Sequence, residues 1–211
     1  MKKMIIATAL TCVILNLFGC GGGGGDGGYS VPTYEVNILS DPYYDGDIKF
    51  VPPNLYTVTQ NVSYSIFAGM DPYVDVEYRA FLDFPLTGKV PGKAFIDSAT
   101  LDIFIDSVNS GGKSVPIRIE LVSFTPPNLV ISDYDRTIQR PMAYISTTIY
   151  PSDAGHHVLI DVTALMEEVQ RRGLSDFQVR ILEDLGTVFP GIIEIDETTN
   201  AKAPLLKVEY Y

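Results

Sequence analysis

Residues 97–108 read DSATLDIFIDSV, with Ala99, Leu101, Ile103 and Ile105 on one side and Thr100, Asp102 and Asp106 on the other. A period of two marks a strand that lays one face against a core. The same alternation predicts strands over 34–39, 56–67, 76–84, 115–124, 142–150, 157–161, 177–183, 191–195 and 205–210. Pro, Gly, Asn and Asp fill the gaps between them. Many short strands with turn-forming separators predict an all-β sandwich or barrel. Thirteen tyrosines and ten phenylalanines suit its pleated, half-buried surfaces.

One segment departs from that period. In DVTALMEEVQRRG, residues 161–173, Val162, Leu165, Met166 and Val169 recur at helical spacing, and Glu167, Glu168, Gln170 and Arg171 face away. Asp161 or Thr163 suits the start, Arg171 and Arg172 suit the negative end, and Gly173 suits a left-handed stop. The expectation is about three turns of helix closing one end of the core.

The amino-terminal residues follow a third pattern. Lys2 and Lys3 precede a largely apolar run from Met4 to Phe18, and glycine dominates after Cys20. The run is shorter than the ~20 residues a bilayer span needs, which points to a secretory signal rather than a transmembrane helix. Leu17-Phe18-Gly19-Cys20 resembles the lipobox of bacterial lipoprotein precursors. That resemblance implies removal of residues 1–19 and acylation of Cys20, leaving the protein anchored to a membrane without spanning it. It also implies a bacterial envelope location. Gly21, standing where an aspartate would mark inner-membrane retention, favours the outer membrane. Residues 20–33, rich in glycine, form a flexible tether. Residues 34–211 form a single domain, a size that supports one sizeable core.

Charge narrows the partners. Loss of Lys2 and Lys3 takes the formal charge from −11 to −13, so nucleic acid is excluded as a partner for want of clustered cations. Cys12 leaves with the signal and Cys20 takes lipid, so the body has no disulfide and no thiol chemistry.

Three stretches and the closing residues share an order with one family. They are YRAFLDFPL at 78–86, IDSATLDIFI at 96–105, VLIDVTALMEEVQRRGLSDFQVRIL at 158–182 and APLLKVEYY at 203–211. Together they resemble the DNRLRE-type domains, jelly-roll modules of secreted and surface polysaccharide-handling proteins, some of them carbohydrate-binding. The resemblance covers about 66–211. It implies a jelly-roll-like β-sandwich with one short helix covering an end of the core. The tryptophan that often follows the helix motif is absent, and Val169 stands in its place.

Catalytic chemistry is sparse. The body holds no HExxH, GxSxG or phosphate-binding loop, and its two histidines, His156 and His157, are adjacent and so point to opposite faces of a strand. The expectation is a non-enzyme. Stacking on sugar rings would fall to tyrosines in turn-like contexts, namely Tyr43, Tyr44, Tyr73, Tyr134 and Tyr150, with Tyr43-Tyr44 in the best setting. In DPYYDGDI, Asp41, Asp45 and Asp47 surround Gly46 and are candidate ligands for a structural Ca2+. Their plainer reading is that of turn residues serving backbone hydrogen bonds. A second acidic group, Glu194, Asp196 and Glu197, adjoins a later turn. No other cofactor is expected. Two functions follow as expectations. One is a lipid-anchored module binding a neutral glycan or envelope polymer. The other is an assembly lipoprotein holding a basic-faced protein partner at the cell surface.

Overall fold

The computed structural model describes residues 32–61, 65–111, 113–124, 128–184, 189–198 and 201–211. The lipobox, Cys20 and most of the glycine tether lie outside them.

The strands are β1 (Tyr34–Leu39), β2 (Gly46–Val51), β3 (Leu55–Gln60), β4 (Ser65–Met70), β5 (Glu77–Pro85), β6 (Ile96–Asn109) and β7 (Val115–Val122). A single helical turn, α1 (Ile131–Tyr134), precedes β8 (Ala143–Ile149) and β9 (His156–Asp161). Then come the helix α2 (Thr163–Arg172), β10 (Asp176–Glu183), β11 (Ile192–Asp196) and β12 (Leu205–Tyr210). The twelve strands make one antiparallel sheet in the order β1-β12-β6-β11-β4-β5-β10-β7-β8, with β9 added to β6 and the β2–β3 hairpin added to β5. The sheet curls on itself into the all-β, sandwich-like fold that the alternation predicts.

The curl encloses the main core. Ala99, Leu101, Ile103 and Ile105 of β6 meet Leu206 and Val208 of β12, Leu82 and Phe84 of β5, and Phe177, Val179 and Ile181 of β10. The helix α2 runs from the end of β9 to the start of β10 and buries Leu165, Met166 and Val169 in that core. Its predicted boundaries and buried face are both observed. Asp161 Oδ1 accepts the Thr163 N–H at 2.9 Å, serving one of the donors left over in a first turn. Gly173, at φ 66°, ends the helix in the left-handed region, and the Leu174 N–H reaches back to the Val169 carbonyl at 3.1 Å.

A second, smaller core lies on the opposite face of β5, β7 and β2. There Ile48, Phe81 and Val122 are covered by Phe124, Leu129 and Tyr134 from the β7–β8 connection. With both faces covered, the interiors of β5 and β10 are continuously buried rather than alternating.

Two expectations are corrected. Asp47, read with Asp41 and Asp45 as a turn residue, lies in the strand β2. The run 56–67 is two strands, because Asn61 turns the backbone to φ 56° at the end of β3. No described helix is long and apolar enough to cross a membrane.

Candidate functional site

The turn between β1 and β2 is built by its own side chains. Asp41 Oδ1 accepts the Tyr43 N–H at 3.0 Å, and the Asp41 carbonyl accepts the N–H groups of Tyr44 and Asp45 at 2.9 and 3.0 Å. Two further bonds bolt the turn to β5. The Asp41 N–H donates to the Asp83 carbonyl at 2.8 Å, and Asp45 Oδ1 accepts the Asp83 N–H at 2.8 Å. Asp41 therefore plays the turn-forming role, and Asp45 is a buried acceptor. Asp47 sits in β2, where its Oδ2 accepts the Phe67 N–H of β4 at 3.2 Å.

The three aspartates are thus committed to three different parts of the backbone. They do not share a metal site: among the described residues no group of three or more His, Cys, Asp or Glu side chains is placed to hold an ion. Burial pushes the Asp45 carboxyl well above the ordinary carboxylate range, and nearby Glu197 and Asp83 add to the rise. Hydrogen bonds from Ser40 and from the Asp83 backbone oppose it. Burial also raises Asp47 to about 6, against the hydrogen bond from Phe67. Asp83 reaches about 6 for the same reason, opposed by the Gln178 amide.

On the solvent side of this turn, Tyr43, Tyr44, Gln60, Asn61 and Asn128 line a cleft of about 360 Å³. Tyr43 is 66% exposed, while Tyr44 packs partly on the smaller core. Gln60, the last residue of β3, holds the cleft together. Its Nε2 donates to the Tyr44 carbonyl at 3.2 Å, and its Oε1 accepts the Leu129 N–H at 2.9 Å. One amide therefore ties the tyrosine turn to the segment that carries Asn128. Gly46 allows the close approach of β2 to β3, since a Cβ there would collide with the Thr59 carbonyl. The cleft offers an exposed aromatic ring, a phenol pair and three carboxamides, and among the described residues no charged side chain lines it. That set suits a ligand rich in hydroxyl groups, which needs donors and acceptors together beside an apolar face.

The sequence pointed to Tyr43 and Tyr44, and the structure places both in this cleft. It does not bring Tyr73, Tyr134 or Tyr150 to it. Tyr73 and Tyr150 are exposed elsewhere, in the β4–β5 connection and just beyond β8. Tyr134 is buried, its hydroxyl donating to Glu77 Oε2 at 2.5 Å and its ring lying 3.7 Å from the Arg79 guanidinium carbon. It is a packing residue. Gln60, Asn61 and Asn128 were missed. Their only shared signal is spatial, because Asn128 joins the cleft through the Gln60–Leu129 bond, which spans 69 residues.

His156 and His157 are both exposed. His157 Nδ1 lies 2.8 Å from Asp102 Oδ1, and Lys207 Nζ lies 3.5 Å from the other oxygen of that carboxylate. Of the second acidic group, Asp196 contacts Lys202 and Glu194 accepts from Ser107, so the two carboxylates serve separate partners. A larger cleft of about 490 Å³ lies between residues 86–92 and the end of α2. No protein-family model matches the chain, and no curated protein is similar to it.

Proposed function

We propose that the protein is an exported, lipid-anchored binding module that takes a neutral glycan or envelope polymer in the Tyr43–Tyr44 cleft and performs no chemistry on it. The observation that carries this reading is the composition of the cleft: an exposed Tyr43 ring beside Gln60, Asn61 and Asn128, with no charged side chain among the described residues of its lining. A sugar ring stacks its C–H face on an aromatic side chain and spreads its hydroxyls toward amides. Net charge favours the same ligand class, because the −13 body that remains once Lys2 and Lys3 are lost repels polyanions such as uronate polymers. The resemblance to DNRLRE-type modules points the same way, as does the lipobox at Cys20 for anchoring to the bacterial envelope.

The test is a glycan array followed by titration calorimetry on the Cys20→Ser chain, which lacks the acylation site. Binding to a neutral glycan, little changed by salt and weakened ~10-fold or more by Tyr43→Ala, is the expected result. Tight binding of a uronate polymer with calcium chelated would overturn the neutral-ligand reading. Failure to bind any neutral glycan would favour the assembly role, in which the acidic body holds a basic-faced protein and releases it as salt rises.

A further inference from the structure

The three carboxamides of the Tyr43–Tyr44 cleft are not equivalent. Gln60 stands opposite Gly46 in the pair of the β2–β3 hairpin farthest from its turn. Both ends of its amide are held, one by the Tyr44 carbonyl and the other by the Leu129 N–H. Gln60 is scaffold. Asn61 follows it at φ 56°, and no other non-glycine residue among those described has a positive φ. Its N–H donates to the Asp45 carbonyl at 3.5 Å, which ties it to the turn that carries the two tyrosines. Asn128 precedes Leu129, so the same Gln60 amide holds its segment against the cleft. Both asparagines are exposed, and among the described residues neither side chain makes a hydrogen bond. The cleft therefore has one carboxamide in use and two to offer.

We propose that Asn61 and Asn128 read the ligand, and that they read free, neighbouring hydroxyl groups on a neutral sugar ring stacked on Tyr43. The inference rests on the reading of the cleft as a glycan site. A carboxamide carries N–H donors and a carbonyl acceptor, and a hydroxyl both donates and accepts, so each asparagine can bind one hydroxyl in either sense. A carboxylate would only accept, and a lysine would only donate. Esterifying a hydroxyl removes its donor, and a site built to bond that donor then leaves its own acceptor unpaired. The cleft should thus prefer a polymer with bare hydroxyls to its acetylated form. The plainer role for Asn61 is that of a turn residue, since asparagine enters the left-handed region more readily than most side chains. Glycine would fill that role equally well and could not fill the other. That difference separates the two.

The probes are cellohexaose, xylohexaose, mannohexaose and maltohexaose, all neutral oligomers with neighbouring free hydroxyls. Each is titrated into the isotope-labelled Cys20→Ser chain while the side-chain amide signals of Asn61 and Asn128 are followed by nuclear magnetic resonance. At least one oligomer is expected to shift the signals of both residues, and its O-acetylated form to shift neither. Asn61→Gly should weaken binding of that oligomer ~3- to 10-fold, the worth of one neutral hydrogen bond, with a melting temperature close to the parent's. Asn61→Asp, which also tolerates the left-handed backbone, should weaken it as much, and Asn128→Ala likewise. Parent-like affinity in Asn61→Gly, with binding lost in Tyr43→Ala, would overturn the assignment and leave Asn61 a turn residue. Equal binding of the acetylated oligomer would overturn it too. If no probe shifted any signal, the glycan reading itself would fall, and this assignment with it.

Discussion

Arg180 and Glu120 stand directly opposite one another in the pairing of β10 with β7, and neither side chain reaches solvent. Arg180 Nη2 lies 2.6 Å from Glu120 Oε2. The same guanidinium donates to the carbonyls of Asp133 and Gln139, at 2.6 and 3.0 Å, and Arg136 Nε reaches Glu120 Oε1 at 2.8 Å. This pair therefore fastens the β7–β8 connection over the smaller core, with the Asn128 side of the cleft on the same connection. Removing one partner leaves a buried, uncompensated charge, so Glu120→Ala should cost ~3–5 kcal/mol in urea unfolding. Glu120→Gln, which keeps an acceptor, should cost less. An unchanged unfolding midpoint for Glu120→Ala would mean that the pair contributes nothing to the fold.

Leu165 of α2 has no exposed surface and packs in the main core. Leu165→Ala should cost ~2–5 kcal/mol, the range for a buried leucine cut back to a methyl. A melting temperature equal to that of the parent would show that α2 does not seal the core.

Gln60 serves two backbone groups that have drifted far apart in sequence. Gln60→Ala leaves the Leu129 N–H and the Tyr44 carbonyl without that partner, which should cost ~1–3 kcal/mol. Calorimetry should also show loss of glycan binding, since the two walls of the cleft are no longer tied. Retained affinity in a destabilised variant would separate the cleft from this amide.

Acid should stabilise the protein over part of the pH range. In the fold, Asp47 and Asp83 titrate at about 6 and Glu183 at about 7, raised chiefly by burial. Unfolded, such carboxyls titrate near ~4. Between those limits the folded state holds protons that the unfolded state releases, so stability falls as pH rises from ~4 to ~7. The melting temperature should be higher at pH 5 than at pH 8, and Asp47→Asn should flatten the slope. Below ~4 the trend should reverse, because Asp135 and Asp161 are held below the usual range by hydrogen bonds from Thr137 and Thr163. A melting temperature that climbs from pH 5 to pH 8 would contradict this account.

Cys20→Ser tests the anchor directly. The variant should remain as uncleaved precursor or appear as a body that stays in solution without detergent. A processed species that still needs detergent would rule out acylation at Cys20.

Where one face of a strand is wet, the sequence shows it. The alternation of β6 and the 3.6-residue spacing of α2 both announce a single buried face, and β1 falls on its predicted bounds. The hairpin strand β2 escaped because Asp47, with Asp45 just ahead of the strand, looks like a turn residue. They are acceptors for N–H groups of β5 and β4, donors that lie far along the chain. The cleft was half legible for the same reason. Adjacent tyrosines beside proline and aspartate stand out in a string of letters, whereas Asn128 acquires its role only when the β7–β8 connection folds over β5. Tyr134 misled because a turn-like context does not reveal that Arg79 and Glu77 will enclose it.

The double coverage of the central strands sets how this protein tolerates change. In β6 every second position from Thr100 to Asp106 is open to polar replacement, since only its partners in the alternation are fully buried. In β10, Phe177 to Leu182 offers no such relief, because Gln178 and Arg180 are bonded to Asp83 and Glu120 on one face while Phe177, Val179 and Ile181 pack in the main core on the other. A saturation library selected for folding should therefore show a sawtooth of permitted substitutions along β6 and a flat, nearly empty profile along β10. Lineages descended from this fold would drift fastest on the first strand and keep the second almost letter for letter.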